Sequence, residues 1–218
     1  SKATKIKKIE PTFRIKKKEK KLILEGGAID VNGEGSILLT EECFLSKVQQ
    51  RNLGVSKEMY EKILSELLNV RNYIWLKKGI KGDDTHGHID DISRFVDSNT
   101  IMTAIEKNRK DENYSILKKN FEILKRARNL KGKKFNIIKI PMPKPIFIKK
   151  VRVPASYLNF LICNKIVLLP LFNDINDNKV FNIFKKFFKT RRIIGIDCTK
   201  LIWGFGALHC MTQQEPEI

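Results

Sequence analysis

The sequence contains no apolar run of the length that a membrane-spanning helix requires. Such a helix needs about 20 consecutive apolar residues. The most apolar stretch, at residues 166–172, contains Pro170 and directly follows Lys165. The front of the chain also has no charged-then-apolar leader. We therefore expect a cytoplasmic protein that does not associate with membranes.

Cysteines are few, and their spacing argues against two kinds of site. The four thiols stand far apart and form no C-x-x-C pair, a pattern on which zinc sites and redox motifs depend. We therefore expect no metal site and a reducing compartment. Three of the cysteines lie among apolar residues and are expected to be small buried side chains, namely Cys43, Cys163 and Cys198. Cys210 follows a glycine-containing stretch and does not fit that pattern.

Arginine is scarce for so basic a chain. The 218 residues suit a single domain, and 43 basic against 24 acidic residues give a net charge of +19. Such a charge suggests a nucleic-acid binder, and that alternative stays open. Only 10 of the basic residues are arginine, although arginine is the better residue for contacting bases and phosphates. We therefore favour lysines at solvent-facing positions and no specific nucleic-acid binding.

The segment from Gly82 to Phe95 concentrates chemically active groups. It contains four carboxylates and two of the three histidines of the chain. His88 and Asp90 are two residues apart, a spacing that puts both side chains on one face of an extended backbone. The pair would offer a proton-transfer group and a fixed negative charge to one pocket. A solvated acidic loop is the alternative interpretation.

A pattern of short strands and amphipathic helices repeats three times. The helices are predicted at 56–69, 113–129 and 177–188, each with one apolar face. Strands are predicted at 22–25, 28–32, 36–40, 73–76, 92–96, 100–104, 135–140, 157–163, 166–169 and 192–197. The near-regular spacing indicates β-β-α-β modules set side by side around a common centre.

Equivalent loops of such modules open toward the same end of the molecule. Glu25 and His88 are 63 residues apart, about one period, so they are expected to meet in one site. A stray carboxylate at a strand end is the alternative for Glu25. In the tail, glycines flank Phe205 shortly before Cys210, and glycine lets the backbone come close to a ligand.

Four motifs in this order resemble those of the agmatine deiminase family, which is related to the bacterial peptidylarginine deiminases. They are Glu25-Gly26-Gly27 and the segments 83–90, 154–160 and 206–214. The resemblance implies the α/β pentein fold, a propeller of five ββαβ modules, of which about three would be present. It implies one incomplete propeller domain over residues 1–218, with a basic lead-in at 1–21 and modules at 22–84, 85–150 and 151–218.

The resemblance also implies a reaction, in which agmatine and water give N-carbamoylputrescine and ammonia on a route to putrescine. By the family pattern Cys210 is the nucleophile and His88 the general acid and base. Asp90 and Glu25 are the carboxylates that hold the guanidinium and orient the histidine. Substrate-binding roles are expected for Asp84, Asn159 and Gly206. No metal or cofactor is expected, and a homodimer is the expected assembly.

The sequence departs from the family in one respect. Members carry a further guanidinium-binding aspartate in an Arg-Asp-x-Gly-Pro type motif, and nothing matching it precedes Glu25. We therefore expect that the N-terminal part of the propeller is absent from this chain. A catalytically inactive fragment, and an enzyme for peptidyl-arginine or another guanidine, remain alternatives.

Overall fold

The computed structural model describes residues 22–214. The basic lead-in predicted at 1–21 lies outside the described residues. The strands are β1 Asp30–Val31, β2 Ser36–Thr40, β3 Asn72–Leu76, β4 Ser93–Phe95, β5 Thr100–Ile105, β6 Asn136–Pro141, β7 Ile146–Ile148, β8 Val151–Val153, β9 Leu161–Ile162, β10 Ile166–Leu171 and β11 Arg192–Asp197. The helices are α1 Glu41–Leu45, α2 Lys57–Leu68, α3 Glu112–Arg126 and α4 Asp177–Phe187, with 3₁₀ turns at Gly26–Ala28, Ile89–Asp91 and Leu201–Gly204.

Three small sheets repeat one topology. Their strand orders are β1-β2-β3, β4-β5-β6 and β9-β10-β11. In each sheet the first two strands are antiparallel and the last two are parallel. A parallel pair needs a crossover connection, and α2, α3 and α4 supply it in the three sheets. The predicted ββαβ repeat is therefore confirmed.

Two of the three crossover helices, α2 and α3, begin at side-chain caps. The Ser56 hydroxyl accepts the N–H of Met59 at 3.3 Å, and the Asp111 carboxylate accepts the N–H of Asn113 at 2.8 Å. The helix predicted at 113–129 ends three residues early, because Ala127 takes an extended conformation and Arg128 then bridges to Lys134. Within the described range, no helix has both the length and the apolar character needed to cross a bilayer.

The strand predicted at 22–25 is wrong. Instead of pairing with another strand, the backbone of Ile23 hydrogen-bonds the side-chain amide of Asn52 through both its N–H and its C=O, each at 2.8 Å. The chain then enters the 3₁₀ turn at Gly26–Ala28. The strand predicted at 157–163 shrinks to β9, because residues 154–160 run as a buried loop toward the site described below.

Two elements escaped prediction. One is α1, whose five residues are too short to show a helical period. The other is the β7–β8 hairpin, where Lys149 and Lys150 have φ of 47° and 70°. Hairpin turns of this left-handed kind usually use Asn and Gly, so two lysines gave no turn signal.

Two apolar cores hold the modules together. A smaller one lies in the first module, where Phe44 packs edge-on against Tyr60 and Trp75 with ring centroids 4.9 and 5.8 Å apart. A larger one runs through all three modules, with Leu38 and Leu76 from the first, and includes Phe160 and Phe184, 4.9 Å apart. Burying one such side chain stabilises the fold by about 1.5–3 kcal/mol.

A buried ion pair joins all three modules. The Arg94 guanidinium bonds the Asp30 carboxylate at 3.0 Å and the carbonyl of Phe160 at 3.2 Å. Burial raises the pKa of Asp30 despite the opposing charge of Arg94. Close by, the Ser156 hydroxyl donates to the carbonyl of Asp91 at 2.8 Å. These contacts fix the ends of the modules from which the site is built.

Candidate active site

Six of the seven predicted site residues line one cleft of about 470 Å³, which we call the central cleft. They are Glu25, Asp84, His88, Asp90, Gly206 and Cys210. The predicted convergence of Glu25 with His88 therefore holds, and the thiol of Cys210 opens into the same space. Another groove, of about 270 Å³, is lined by Glu34 and Arg71 but by no cysteine or histidine. It lacks the groups for covalent or acid–base chemistry.

The loop before His88 is shaped by Asp83. Its carboxylate accepts the backbone N–H groups of Thr85, Gly87 and His88 at 2.8, 2.8 and 3.1 Å. Gly87 has φ of 100°, a left-handed conformation that favours glycine. A Cβ there would also meet the Thr40 hydroxyl at 3.1 Å. The aspartate and the glycine together deliver His88 to the cleft.

His88 and Asp90 do not lie on the extended backbone that the i, i+2 spacing suggested. His88 instead precedes the 3₁₀ turn that contains Asp90. Both side chains still reach the cleft. They meet across Gly27, where an added Cβ would lie 2.6 Å from His88 Nδ1 and 2.9 Å from Asp90 Oδ2. The Glu-Gly-Gly motif thus keeps room for the two functional groups.

His88 is 7% exposed and forms a short ion pair, with its Nε2 2.7 Å from Glu25 Oε2. Burial alone would lower the pKa of His88. Hydrogen bonds to Cys43 and Glu25 and the charge of Asp90 outweigh it and raise the pKa to about 10. The Arg51 guanidinium contacts both carboxylate oxygens of Glu25, with Nε 3.2 Å from Oε1 and Nη2 3.0 Å from Oε2. The imidazole is therefore protonated at neutral pH and is held in place by its ion pair with Glu25.

The pKa of Glu25 responds to the same contacts. Burial opposes its ionisation, but the hydrogen bonds and positive charges of His88 and Arg51 prevail and lower its pKa. Glu25 thus serves as a fixed anion beside the imidazolium.

Asp90 is fully buried, and its two oxygens differ in their contacts. Oδ2 accepts hydrogen bonds from His209 Nδ1 at 2.8 Å, from Asn159 Nδ2 at 3.3 Å and from Cys210 Sγ at 3.5 Å. Oδ1 is buried and has no hydrogen-bond partner among the described residues. Leaving such an oxygen unpaired costs about 1–3 kcal/mol or more. Asp90 therefore lines the central cleft and carries one buried oxygen that no described residue pairs.

Cys210 follows the 3₁₀ turn at Leu201–Gly204 and a left-handed Phe205, which bring the chain back into the cleft. A Cβ on Gly206 would lie 2.8 Å from the Cβ of Cys210, so only glycine fits there. The residue is exposed as a whole, but its sulfur lies against Asn159 and Asp90. Burial, and then the charges of Asp91 and Asp90, raise the pKa of the thiol well above its usual range.

Asn159 lies beneath the cleft and connects its parts. Its Nδ2 is 3.0 Å from Asp91 Oδ1 and 2.9 Å from Cys210 Sγ, and its Oδ1 accepts the N–H groups of His209 and Cys210 at 2.9 and 3.2 Å. All of these partners are protein groups. The substrate-binding role predicted for it stays a prediction, as do those of Asp84 and Gly206.

Several residues of the site were missed or misread from sequence. Asp91 is buried, and burial together with the charges of Asp90 and Asp83 raises its pKa well above the usual range. The adjacency of Asp91 to Asp90 was the available signal. His209, which bonds Asp90, was also missed, and its position next to Cys210 was the signal for it. Cys43 is buried as expected, but it contacts His88 instead of serving only as packing.

Two groups of side chains have the donor types and spacing that a metal ion needs. They are Glu25, Cys43 and His88, and Asp90, Asp91 and Cys210, with ligand atoms within 4.8 Å of one another in each group. In the first group the Arg51 guanidinium already neutralises Glu25 and His88 carries a proton, so charge opposes a divalent cation. The second group combines two buried carboxylates with the thiol of Cys210.

Comparisons with known proteins agree with this geometry. Residues 2–216 match the family described as Porphyromonas-type peptidyl-arginine deiminase. The chain is 40% identical over 213 residues to a putative agmatine deiminase of Latilactobacillus sakei, covering 89% of this chain and 58% of that protein. It is 37% identical over 213 residues to one of a Marinomonas species, covering 90% and 57%.

Solved structures give the same result. A substrate-bound agmatine deiminase of C. jejuni superposes with a TM-score of 0.81 at 37% identity, covering 88% of this chain and 55% of the other. The agmatine deiminase of Enterococcus faecalis gives 0.83 at 31% identity, covering 89% and 57%. An amidinotransferase of Microseira wollei, 13% identical with a TM-score of 0.50, shares the fold alone.

The chain spans a little under three fifths of the length of the curated relatives that it matches. Its three ββαβ modules are accordingly part of an α/β pentein propeller, as the sequence motifs implied. With the family matched from residue 2 to residue 216, the chain belongs to the agmatine deiminase and Porphyromonas-type peptidyl-arginine deiminase family.

Proposed function

We propose that this protein hydrolyses a small guanidine, with agmatine as the leading substrate, to a urea derivative and ammonia. The proposal rests on the unpaired, buried oxygen of Asp90, together with the position of this residue in the same cleft as Cys210 and the cationic His88. An acceptor of this kind suits a planar cation that has N–H donors around its edge. The relatives named as agmatine deiminases support the same reaction.

Substrate binding uses the carboxylates of the central cleft. Asp90 Oδ1 accepts an N–H of the guanidinium. This hydrogen bond removes the free-energy cost of leaving the buried oxygen unpaired. Glu25 is engaged by Arg51 and His88, so its part is to orient the imidazole. The reactive carbon then lies close to Cys210, because Asp90 Oδ2 is 3.5 Å from Sγ.

The substrate itself activates the nucleophile. The raised pKa of Cys210 means that its thiol is protonated in the free protein at neutral pH. A bound guanidinium offsets the negative charges of Asp90 and Asp91, so the thiol loses its proton to solvent when the cation arrives. The thiolate is the nucleophilic form. Activation is thereby restricted to the time when a substrate is present.

The reaction then passes through two tetrahedral adducts on Cys210. The thiolate forms a C–S bond to the guanidinium carbon and gives a neutral tetrahedral adduct. The imidazolium of His88 donates its proton to one amino group, which leaves as ammonia, and a cationic S-alkylthiouronium remains on Cys210. Neutral His88 takes a proton from water as the hydroxide adds to that carbon. The second adduct expels the thiolate and loses a proton, which leaves the urea product.

With agmatine the product is N-carbamoylputrescine, which places the reaction on a route to putrescine. A peptidyl-arginine substrate is the second candidate, since the matched family carries that description. A cytoplasmic location and a homodimer complete the proposal.

The test is ammonia release from agmatine by the purified chain, with Cys210→Ala as the inactive variant and Cys198→Ala as the matched control. Cys198 is a buried core thiol and should be dispensable for turnover. Mass spectrometry after an acid quench should detect the thiouronium adduct on Cys210. An arginine-containing peptide tests the second candidate. If neither substrate gives ammonia or an adduct, this chain is the inactive fragment considered from the sequence.

A further inference from the structure

A second cysteine lies next to the cationic histidine of the site. Cys43 is 4% exposed, and its sulfur lies within 4.8 Å of both a ring nitrogen of His88 and a carboxylate oxygen of Glu25. This neighbouring sulfur also contributes to the raised pKa of the imidazole. The reaction proposed above uses Cys210 as the nucleophile and assigns no role to Cys43.

The segment that carries Cys43 also holds the backbone next to the histidine. The Thr40 hydroxyl accepts the N–H of Cys43 at 3.1 Å and donates to the carbonyl of Gly87 at 2.6 Å. Gly87 directly precedes His88. The first turn of α1 thus holds the main chain of the histidine loop through Thr40 and places the sulfur of Cys43 beside its imidazole.

The charges that face His88 are few and come from both modules. Glu25 bonds its Nε2 directly, with Arg51 behind that carboxylate, and Asp90 and Asp91 act on it from the cleft. The Cβ–Cγ bond and the ion pair to Glu25 hold the imidazole at two points, so the ring can still turn about the line that joins them. A second acceptor removes that freedom, and a sulfur can do so without adding a buried charge.

We propose that Cys43 is a positioning residue, whose sulfur accepts a hydrogen bond from the imidazolium of His88 and fixes the ring between Glu25 and the central cleft. Its effect on turnover rests on the proposed function, but its effect on His88 does not. The hydrogen bond favours the protonated ring, so its loss should lower the pKa of His88 below the value of about 10 in the parent.

The experiment follows the ring resonances of His88 against pH by NMR in four proteins: the parent, Cys43→Ala, Cys43→Ser and Cys198→Ala. His88→Gln assigns the resonance. In Cys43→Ala the midpoint should fall, and in Cys43→Ser, which keeps an acceptor, it should stay closer to the parent. Cys198→Ala removes a buried thiol from the other core and should leave the midpoint unchanged.

Activity gives an independent readout. Losing one hydrogen bond should lower kcat for agmatine by about tenfold or less, with little change in KM and with the pH profile displaced to lower pH. The proposal is overturned if Cys43→Ala folds and titrates His88 like the parent. Should Cys43→Ala not fold, Cys43→Val, which also lacks an acceptor and fills more of the site, takes its place, and an unchanged His88 titration in that variant overturns the proposal. A parent that is inactive toward agmatine would refute the proposed function, whereas the titration would still decide the role of Cys43.

Discussion

Replacing Gly27 by alanine tests whether the central cleft is built as described. An added Cβ at this position would lie 2.6 Å from His88 Nδ1 and 2.9 Å from Asp90 Oδ2, closer than real Cβ contacts allow. Neither group yields easily, because His88 is tied to Glu25 and Asp90 to His209. The two groups should therefore be pushed apart.

The neighbouring glycine supplies a matched control. A Cβ on Gly26 would meet only the side-chain oxygen of Gln213, at 3.8 Å, which is ordinary contact. The two variants add the same methyl group one residue apart in the same 3₁₀ turn. Any difference between them comes from the neighbours of Gly27.

The clash at Gly27 should lower both activity and stability. Misplacing a reacting group by about 1 Å costs roughly a hundredfold in rate, which corresponds to about 2.7 kcal/mol of transition-state stabilisation. Overpacking destabilises a fold by about 1–3 kcal/mol, and the loss of a glycine returns about 0.4–1 kcal/mol. We expect Gly27→Ala to lose about a hundredfold in kcat/KM and about 1–2 kcal/mol in stability. Gly26→Ala should match the parent in kcat/KM and be as stable as the parent or more stable by up to about 1 kcal/mol.

The assays are ammonia release from agmatine and urea unfolding, with both variants compared to the parent. A folded Gly27→Ala protein whose activity lies within about threefold of Gly26→Ala, roughly 0.7 kcal/mol, would refute the assigned geometry. If the parent proves inactive, the ring resonances of His88 serve instead, since they should move in Gly27→Ala and not in Gly26→Ala.

Three further predictions concern charge. Asp90→Asn should abolish measurable turnover, yet it should lower the pKa of Cys210, seen as faster thiol alkylation at a given pH; an unchanged rate would contradict the electrostatic account. Arg94→Met leaves the carboxylate of Asp30 buried without its cationic partner, so urea unfolding should show a loss of about 3–5 kcal/mol; a loss below about 1 kcal/mol would refute the role of this ion pair. Because the pKa of His88 is raised from 6.5 to about 10, its stabilisation is fully present below pH 6.5 and is lost as pH rises through 10. The unfolding midpoint should fall across that window and fall less in His88→Gln, and equal slopes would oppose this.

The repeated modules could be predicted because their signals are local. Alternation identified β2 and a short apolar segment identified β5. An apolar stripe identified α2 and α3, and the spacing of the helices gave the module length. Strand 22–25 failed for a physical reason. Its apolar residues suit a strand, but the side chain of Asn52, far along the chain, takes the hydrogen bonds of Ile23.

The candidate site also contains residues that the sequence predicted and a contact that it did not. Motif likeness brought Glu25, His88 and Cys210 together, and the central cleft contains all three. It gave no sign that Cys43 would contact His88, since a cysteine among apolar residues is the ordinary pattern of a core position. That contact depends on how two modules dock, and neither periodicity nor a short motif encodes it.

The ion pair between Arg94 and Asp30 and the contacts of Asn159 also bear on how the chain acquires its chemistry. They connect parts of the sequence 64 and 69 residues apart, and the bond from Cys210 to Asp90 closes a loop of 120. Long loops are costly to close, so such contacts tend to form only after local structure is in place. A chain still folding would therefore have its helices before it had a working nucleophile, and reactivity would mark the end of assembly.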